Sequence, residues 1–547
     1  MAKNLTETKK SLLEELDQRV TDKILEPSNA ALLSKLITAA ENDDEALAIA
    51  ALGTTYKRTG FHWDKRLEKM SDTIKYFKRN DALSFGEAKE GEPIHKLIIG
   101  DNYDALQNLL IEYHGRVDVI YIDPPYGKDS MGEFADTNYN NAISRDNLLS
   151  MLYFRLELAK QLLSDNGVIF CSIDDKNQAY VKCLFDEVFR ECNFIATLPR
   201  VTKKSGKAHS DSIANNHDYV LIYTRNRMAA KFVGIKTDAQ GFDNKDEFYE
   251  QRGPYKLNQT LDYNSLWYNP AMDFPLEVGT ETFYPGGSFE KHLERHKGIH
   301  DAKDWVWRWS KAKFDFGYEN GFVVVKRTNR GARLYTKTYL NASIEKNSNG
   351  YYIDYSERDT KMSSLALVEN EFSNDNAKKG VDSIIGGNTF DFTKPVSLIK
   401  QLMSIIDTHN PIILDFFAGS GTTGQAVLDL NKEDDGKRTF ILCQMNEEDN
   451  KIAYDITCKR LKRVMTGECY DGSKDFKWAK ENEPYGGNLE VYEIAEISNS
   501  SATTGKTPFD VIDETLYGQE KFKSMREKID WVCSNFAHTQ MVEPKDE

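Results

Sequence analysis

The chain has 547 residues, 40% of them apolar and 11% aromatic, and carries a formal charge of −15. That exceeds one ordinary domain, so two to four domains of about 150 residues each are expected. No run of about 18 uncharged apolar residues occurs and the first ten residues hold no apolar segment, which argues against a membrane span or a leader and for a cytoplasmic protein. Seven scattered cysteines without a CxxC pair suit reduced thiols, and point away from a disulfide framework or a structural metal.

Residues 1–92 are rich in Leu, Ala, Glu and Lys, with Leu32, Leu33, Leu36 and Ile37, then Ile74 and Phe77, at helical spacing. They read as a helical accessory or oligomerisation segment. After Pro93 the pattern alternates: a strand at 96–99, a helix over 104–112, then a strand at 117–122 that runs into Asp123-Pro124-Pro125-Tyr126. The polar stretch 127–145 has the length and composition of a mobile lid. An amphipathic helix with Leu148, Leu152, Leu156, Ala159 and Leu163 on one stripe follows and stops at Asp165-Asn-Gly167. Then come a strand at 168–173, a helix over 178–189 and a strand at 219–223. Alternation of this kind over 93–227 predicts a parallel sheet covered on both faces.

Over 228–383 the rhythm breaks into short apolar runs rich in Gly, Asn and aromatics, as expected of a separate α+β insert. Trp305, Trp307 and Trp309 alternate there like one face of a strand, a pattern that serves core packing or base stacking. Alternation returns over 384–470, with a helix at 396–406, a strand at 411–415, a helix at 422–430 and a strand at 438–443. The C-terminal extension, 471–547, is ambiguous. The expected fold is therefore a doubly wound, mostly parallel α/β sheet in two halves around an insert.

The tetrad at 123–126 suits one chemistry. An exocyclic amino nitrogen is a poor nucleophile because its lone pair is delocalised into the ring. The Asp123 carboxylate and the Pro124 carbonyl can each accept one of its N–H groups, while Pro125 fixes the backbone and Tyr126 offers a face for an extruded base. A strand ending in a plain Pro-Pro turn would use the same residue types. Asp174 and Asp175, just past a strand, could line such a pocket or cap the next helix.

A second motif follows the strand at 411–415. Asp415-Phe-Phe417-Ala-Gly419-Ser-Gly421-Thr422-Thr-Gly424 matches GxGxxG at a strand-to-helix junction, where backbone N–H groups meet an anionic ligand. Alone, it fits a dinucleotide dehydrogenase as readily as an S-adenosylmethionine enzyme. The ribose partner expected about 20 residues on falls at Gln444 or Glu447. Between Arg200 and Lys236 eight Lys or Arg stand against two acids, and Lys203, Lys204 and Lys207 are candidate contacts to a nucleic-acid backbone.

With both motifs in this order the chain resembles amino-group DNA methyltransferases of the β class. Leu97-Ile-Ile-Gly100-Asp101-Asn102 looks like that family's GD motif, and Phe390-Asp-Phe-Thr-Lys394-Pro395 like its Lys-Pro cofactor element. Ser172-Ile-Asp-Asp175, Asn216-His-Asp-Tyr219, Arg252-Gly-Pro-Tyr255, Trp307-Arg-Trp-Ser310 and Arg333-Leu-Tyr335 resemble modification subunits of type III restriction-modification systems. The resemblance covers roughly residues 94–470. It implies a permuted S-adenosylmethionine-dependent methyltransferase fold with a target-recognition insert, and methylation of the adenine amino group in double-stranded DNA after base flipping. The catalytic residues would be Asp123, Pro124, Pro125 and Tyr126. The cofactor would meet Asp101, Lys394, Pro395, Asp415, Phe417, Gly419, Gly421, Thr422 and Gln444 or Glu447. A homodimer and a helicase-nuclease restriction subunit would be the partners, and no metal is implied.

Overall fold

The computed structural model describes residues 6–21, 27–52, 69–125, 144–204, 213–236, 239–328, 331–387, 393–408, 410–446, 451–498 and 505–542. The chain divides into two compact units, one formed by Met1–Phe232 with Ser363–Glu547, the other by Val233–Met362.

The larger unit is built on a nine-stranded sheet: β1 (Thr73–Arg79), β2 (His95–Ile99), β3 (Val117–Ile122), β4 (Leu163–Asp174), β5 (Phe194–Val201), β6 (His217–Thr224), β7 (Ile412–Asp415), β8 (Thr439–Gln444) and β9 (Leu489–Ser498). Their order is β1-β9-β2-β8-β7-β3-β4-β6-β5. The six strands from β9 to β4 run parallel, while β1 is antiparallel to β9 and β6 is antiparallel to both β4 and β5. The helices that matter for the site are α1 (Asn102–Tyr113), α2 (Ser144–Leu162), α3 (Gln178–Phe189), α4 (Val396–Met403), α5 (Thr422–Asp434) and α6 (Lys459–Thr466).

The apolar run of β3 shows why these residues take this place. Ile120 and Ile122 join a continuous core with Leu106 of α1, Leu152 of α2 and Leu184 of α3. Val119 and Tyr121, pointing the other way, are 1% and 3% exposed. A strand covered on both faces has no polar side, so it reads as an unbroken apolar run. The chain leaves β7 through α5 toward β8 and leaves β3 through α2 toward β4, on opposite sides. The winding thus reverses between β7 and β3, paired at Ile413 with Val119 and Leu414 with Ile120. Doubly wound sheets bind their ligands at the carboxyl ends of the strands at that point.

Three sequence expectations need correction. Thr73–Arg79 is no part of a helical segment, being strand β1, paired from Thr73 with Ser498 to Arg79 with Tyr492. Ile74 and Phe77 are both buried because both faces of this strand are covered, Phe77 stacking on Tyr517 at 5.3 Å. Among the described residues before β1 the helices are Glu7–Thr21, Pro27–Ala39 and Asp43–Leu52, which share a core of Leu16, Ile37, Ala40, Ala46 and Ala50. Leu163 does not end the α2 stripe; it is the first residue of β4. The extension after 470 supplies β9, inserted between β1 and β2, so the sheet reaches well past the stretch that carries the motifs.

The smaller unit is narrower than the expected 228–383 insert. It holds a three-stranded antiparallel sheet of Tyr255–Thr260, Val323–Thr328 and Gly331–Tyr339. Trp307, 2% exposed, belongs to its core with Leu261, Leu276, Phe314, Val323 and Leu334, and its Nε1 donates to the Phe274 carbonyl at 2.6 Å. Among the described residues no helix is long and apolar enough to cross a membrane.

Candidate functional site

Because β2, β8, β7 and β3 are parallel, their carboxyl ends share one rim. Asp101, Gln444, Asp415 and Asp123 stand at those four ends. Asp123 directly follows β3 and is partly buried, its Oδ2 accepting from Lys394 Nζ at 2.5 Å. Its Oδ1 is buried and has no hydrogen-bond partner among the described residues. A buried acceptor left unmade is costly, so such an atom marks a place where a donor arrives. Burial raises the Asp123 carboxyl above the ordinary carboxylate range, and the Lys394 ammonium acts against that rise. Pro124 is buried and Pro125 half-buried, while Tyr126 lies outside the described residues together with the expected lid up to residue 143.

Lys394 ties the two motifs together. Its carbonyl accepts from Thr422 Oγ1 at 3.1 Å, so one residue contacts both Asp123 and the first residue of α5. Pro395 is the N-cap of α4, so Lys394 stands just ahead of the helix, where the fixed φ of the proline sets the entry of the chain.

Several polar groups of the glycine loop are arranged by neighbours. Asp415 accepts from Phe417 N at 3.0 Å and from Thr423 Oγ1 at 2.5 Å, and burial pushes its carboxyl up to about 7. Gln444 Oε1 accepts from Gly419 N at 2.7 Å, and Thr457 Oγ1 donates to the Gly419 carbonyl at 2.6 Å. Gly421, the N-cap of α5, has φ +79, a conformation that costs a side chain dearly, and no side chain caps the helix. A Cβ on Gly424 would lie 2.9 Å from Leu461 Cδ2, so α5 and α6 meet closely there. The uncapped first turn of α5 fits the carboxylate of an amino-acid-bearing cofactor.

Asp101 caps α1, its Oδ1 accepting from Tyr103 N at 2.8 Å and from Arg155 Nη2 at 2.9 Å. Its other oxygen has no partner among the described residues and is free for an adenosine donor. Asp104, one turn on, is held by Lys75 of β1 at 2.6 Å; burial first, then Asp101, pushes it up to about 6. Glu447 lies outside the described residues, so of the two ribose candidates only Gln444 has a described geometry, and its Oε1 is committed to the loop.

The basic stretch is less basic than its count. Arg200 is fully buried and holds Asp218 through two bonds, one of 2.7 Å from Nε, while its Nη1 donates to the Phe372 carbonyl. Arg225 Nη1 donates to carbonyls at the end of α2, among them Lys160 at 2.8 Å. Lys204 is exposed, 3.6 Å from Glu369, Lys203 is half-buried, and Lys207 lies outside the described residues. Asp174 accepts from Asn177 N and Nδ2, the bonds of a turn that starts α3. Arg155, Arg460, Thr423 and the Arg200–Asp218 pair were missed by sequence reasoning. Only Arg155 left a trace there, as one cation within the apolar stretch of α2.

Against known proteins, residues 117–455 match the model described as DNA methylase (N6_N4_Mtase), and residues 4–119 match a model described as an uncharacterised conserved protein. The chain is 28% identical over 413 residues to the type III restriction-modification enzyme EcoPI Mod subunit of Escherichia phage P1, covering 68% of this chain and 62% of that one. It is 30% identical over 439 residues to the type II methyltransferase M.KpnI of Klebsiella pneumoniae, covering 73% and 94%. Among solved structures, the M1.HpyAVI complex with S-adenosylmethionine aligns at a TM-score of 0.31 and 13% identity, covering 68% and 98%. The chain thus spans less than two thirds of the EcoPI Mod subunit and nearly all of M.KpnI.

Proposed function

This chain belongs to the DNA methylase family of N6/N4 amino-methyltransferases, and on that footing we propose that it methylates the exocyclic amino group of adenine in duplex DNA, as the modification subunit of a type III restriction-modification system. The observation that carries the reading is Asp123: one carboxylate oxygen fixed by Lys394, the other buried and without a partner at the carboxyl end of β3. Oδ1 accepts one N–H of a flipped adenine, and the Pro124 carbonyl takes the second. Held so, the nitrogen lone pair would be drawn out of conjugation and able to take up a methyl group.

S-adenosylmethionine supplies that methyl group as a sulfonium-bound electrophile. The residues that would hold it are Asp101 at the adenosine end and the loop from Asp415 to Thr422 at the amino-acid end, with Gln444 and Lys394 keeping the loop in place. Their contribution is positioning, which can account for much of the rate of a two-substrate reaction. The proton released from the amine leaves through Asp123 Oδ1 to solvent.

Asp123→Ala should abolish methyl transfer to DNA while S-adenosylmethionine still binds; normal turnover would refute the assignment. A second reading, a methyltransferase working without a restriction partner, draws on the 94% coverage of M.KpnI. Copurification of the native protein with a helicase-nuclease subunit supports the first reading, and its absence the second. Gel filtration with light scattering tests the homodimer.

A further inference from the structure

Arg460 is a buried charge for which the scheme above finds no use. It sits in α6 at 2% exposure, its Nε donating to Gln425 Oε1 at 2.8 Å. Its Nη1 donates to Ser420 Oγ at 2.8 Å and to Thr422 Oγ1 at 2.9 Å. All three partners are neutral, and no carboxylate pairs with this guanidinium among the described residues. Burial accordingly works against its charge. A cation withdrawn from water without a counter-ion costs several kcal/mol, whereas Arg155, Arg200 and Arg295, equally buried, each have an aspartate.

The surroundings show where a counter-ion would come from. Ser420 and Thr422 flank Gly421, the uncapped start of α5, so the guanidinium and the positive end of the helix dipole act on one spot. The same hydroxyls meet Thr393 Oγ1 at 2.8 and 3.2 Å, and Thr422 bonds the Lys394 carbonyl. The position of the charge is therefore locked to the loop and to the Lys-Pro element.

We propose that Arg460 is a positioning residue for the methyl donor, supplying from beneath the glycine loop the positive charge that draws the carboxylate end of S-adenosylmethionine to the start of α5. The inference rests on the cofactor reading above.

The test compares two ligands on the full chain by calorimetry: S-adenosylmethionine, and its decarboxylated analogue, which keeps the sulfonium and adenosine. For Arg460→Gln, affinity for S-adenosylmethionine should fall at least about tenfold, as for a charge about 8 Å away at an effective dielectric constant of about 20. Affinity for the decarboxylated ligand should change by less than about twofold, because the charge it lacks is the one Arg460 addresses. Arg460→Lys should retain the preference for the carboxylate-bearing ligand even if both bind more weakly, and this variant decides the matter if the glutamine variant does not fold. Equal losses for both ligands, no loss for either, or a lysine variant without the preference would overturn the inference. Failure of the unmodified protein to bind S-adenosylmethionine would instead overturn the proposed function.

Discussion

Lys394 Nζ lies 2.5 Å from Asp123 Oδ2, across 271 residues of sequence, while the carbonyl of the same residue accepts from Thr422 Oγ1 at the start of α5. Asp123 and the glycine loop are therefore set by one side chain and its backbone, so disturbing either reaches the other.

Lys394→Met should lower turnover and move the acid limb of the kcat profile to higher pH. Asp123 works as a carboxylate, present above its pKa and lost as pH falls through it. Lys394 opposes the upward push of burial, so removing it raises that pKa further. Lys394→Arg, which keeps the opposite charge beside the carboxylate, should leave the acid limb close to its original place. A pH-rate profile with an unmoved acid limb would contradict the coupling.

Asp415 makes a prediction about stability. Burial pushes its pKa to about 7, above the ordinary carboxylate value of 3.8, so between these the folded protein holds a proton there that the unfolded chain gives up. The stability this group contributes is full below pH about 4 and is lost as pH rises toward 7. Asp415→Asn, which can keep both hydrogen bonds to Phe417 N and Thr423, removes the titration. Urea denaturation should show the variant gaining on the unmodified protein between pH 4 and 7, by about 1–3 kcal/mol, then levelling off.

The Arg200–Asp218 pair is buried beside β5 and β6. Arg200→Met leaves Asp218 with an uncompensated charge and frees the Phe372 carbonyl. The loss should be about 3–5 kcal/mol by denaturant midpoint, with part of it restored in Arg200→Met combined with Asp218→Leu.

Gly424→Ala places a methyl group 2.9 Å from Leu461 Cδ2 and 3.1 Å from Leu442 Cδ1. Overpacking of α5 on α6 should cost about 1–3 kcal/mol, measured by the same method.

Sequence alone reached the parts whose causes are local. The β3 run Val117–Ile122 and the helix Gln178–Phe189 were legible to the residue, because one is buried on both faces and the other carries a clean amphipathic stripe. Asp123 and the glycine loop each follow a strand where the sequence placed one, at the ends of β3 and β7. Strands β1 and β9 were not: they pair with each other across more than 400 residues, and in β1 the spacing of Ile74 and Phe77 imitates a helix. The same holds at the site. Lys394 could be named from sequence but not its contact with Asp123, and Arg460, one of four cations in Lys459-Arg-Leu-Lys-Arg463, looks there like part of a solvated helix face.

The central claim is that the amine held by Asp123 is that of adenine. Duplex DNA incubated with the protein and methyl-labelled S-adenosylmethionine, then digested to nucleosides and separated by mass spectrometry, should carry the label in N6-methyladenine. Label in N4-methylcytosine, or DNA left unlabelled by a protein that binds the cofactor, would contradict it.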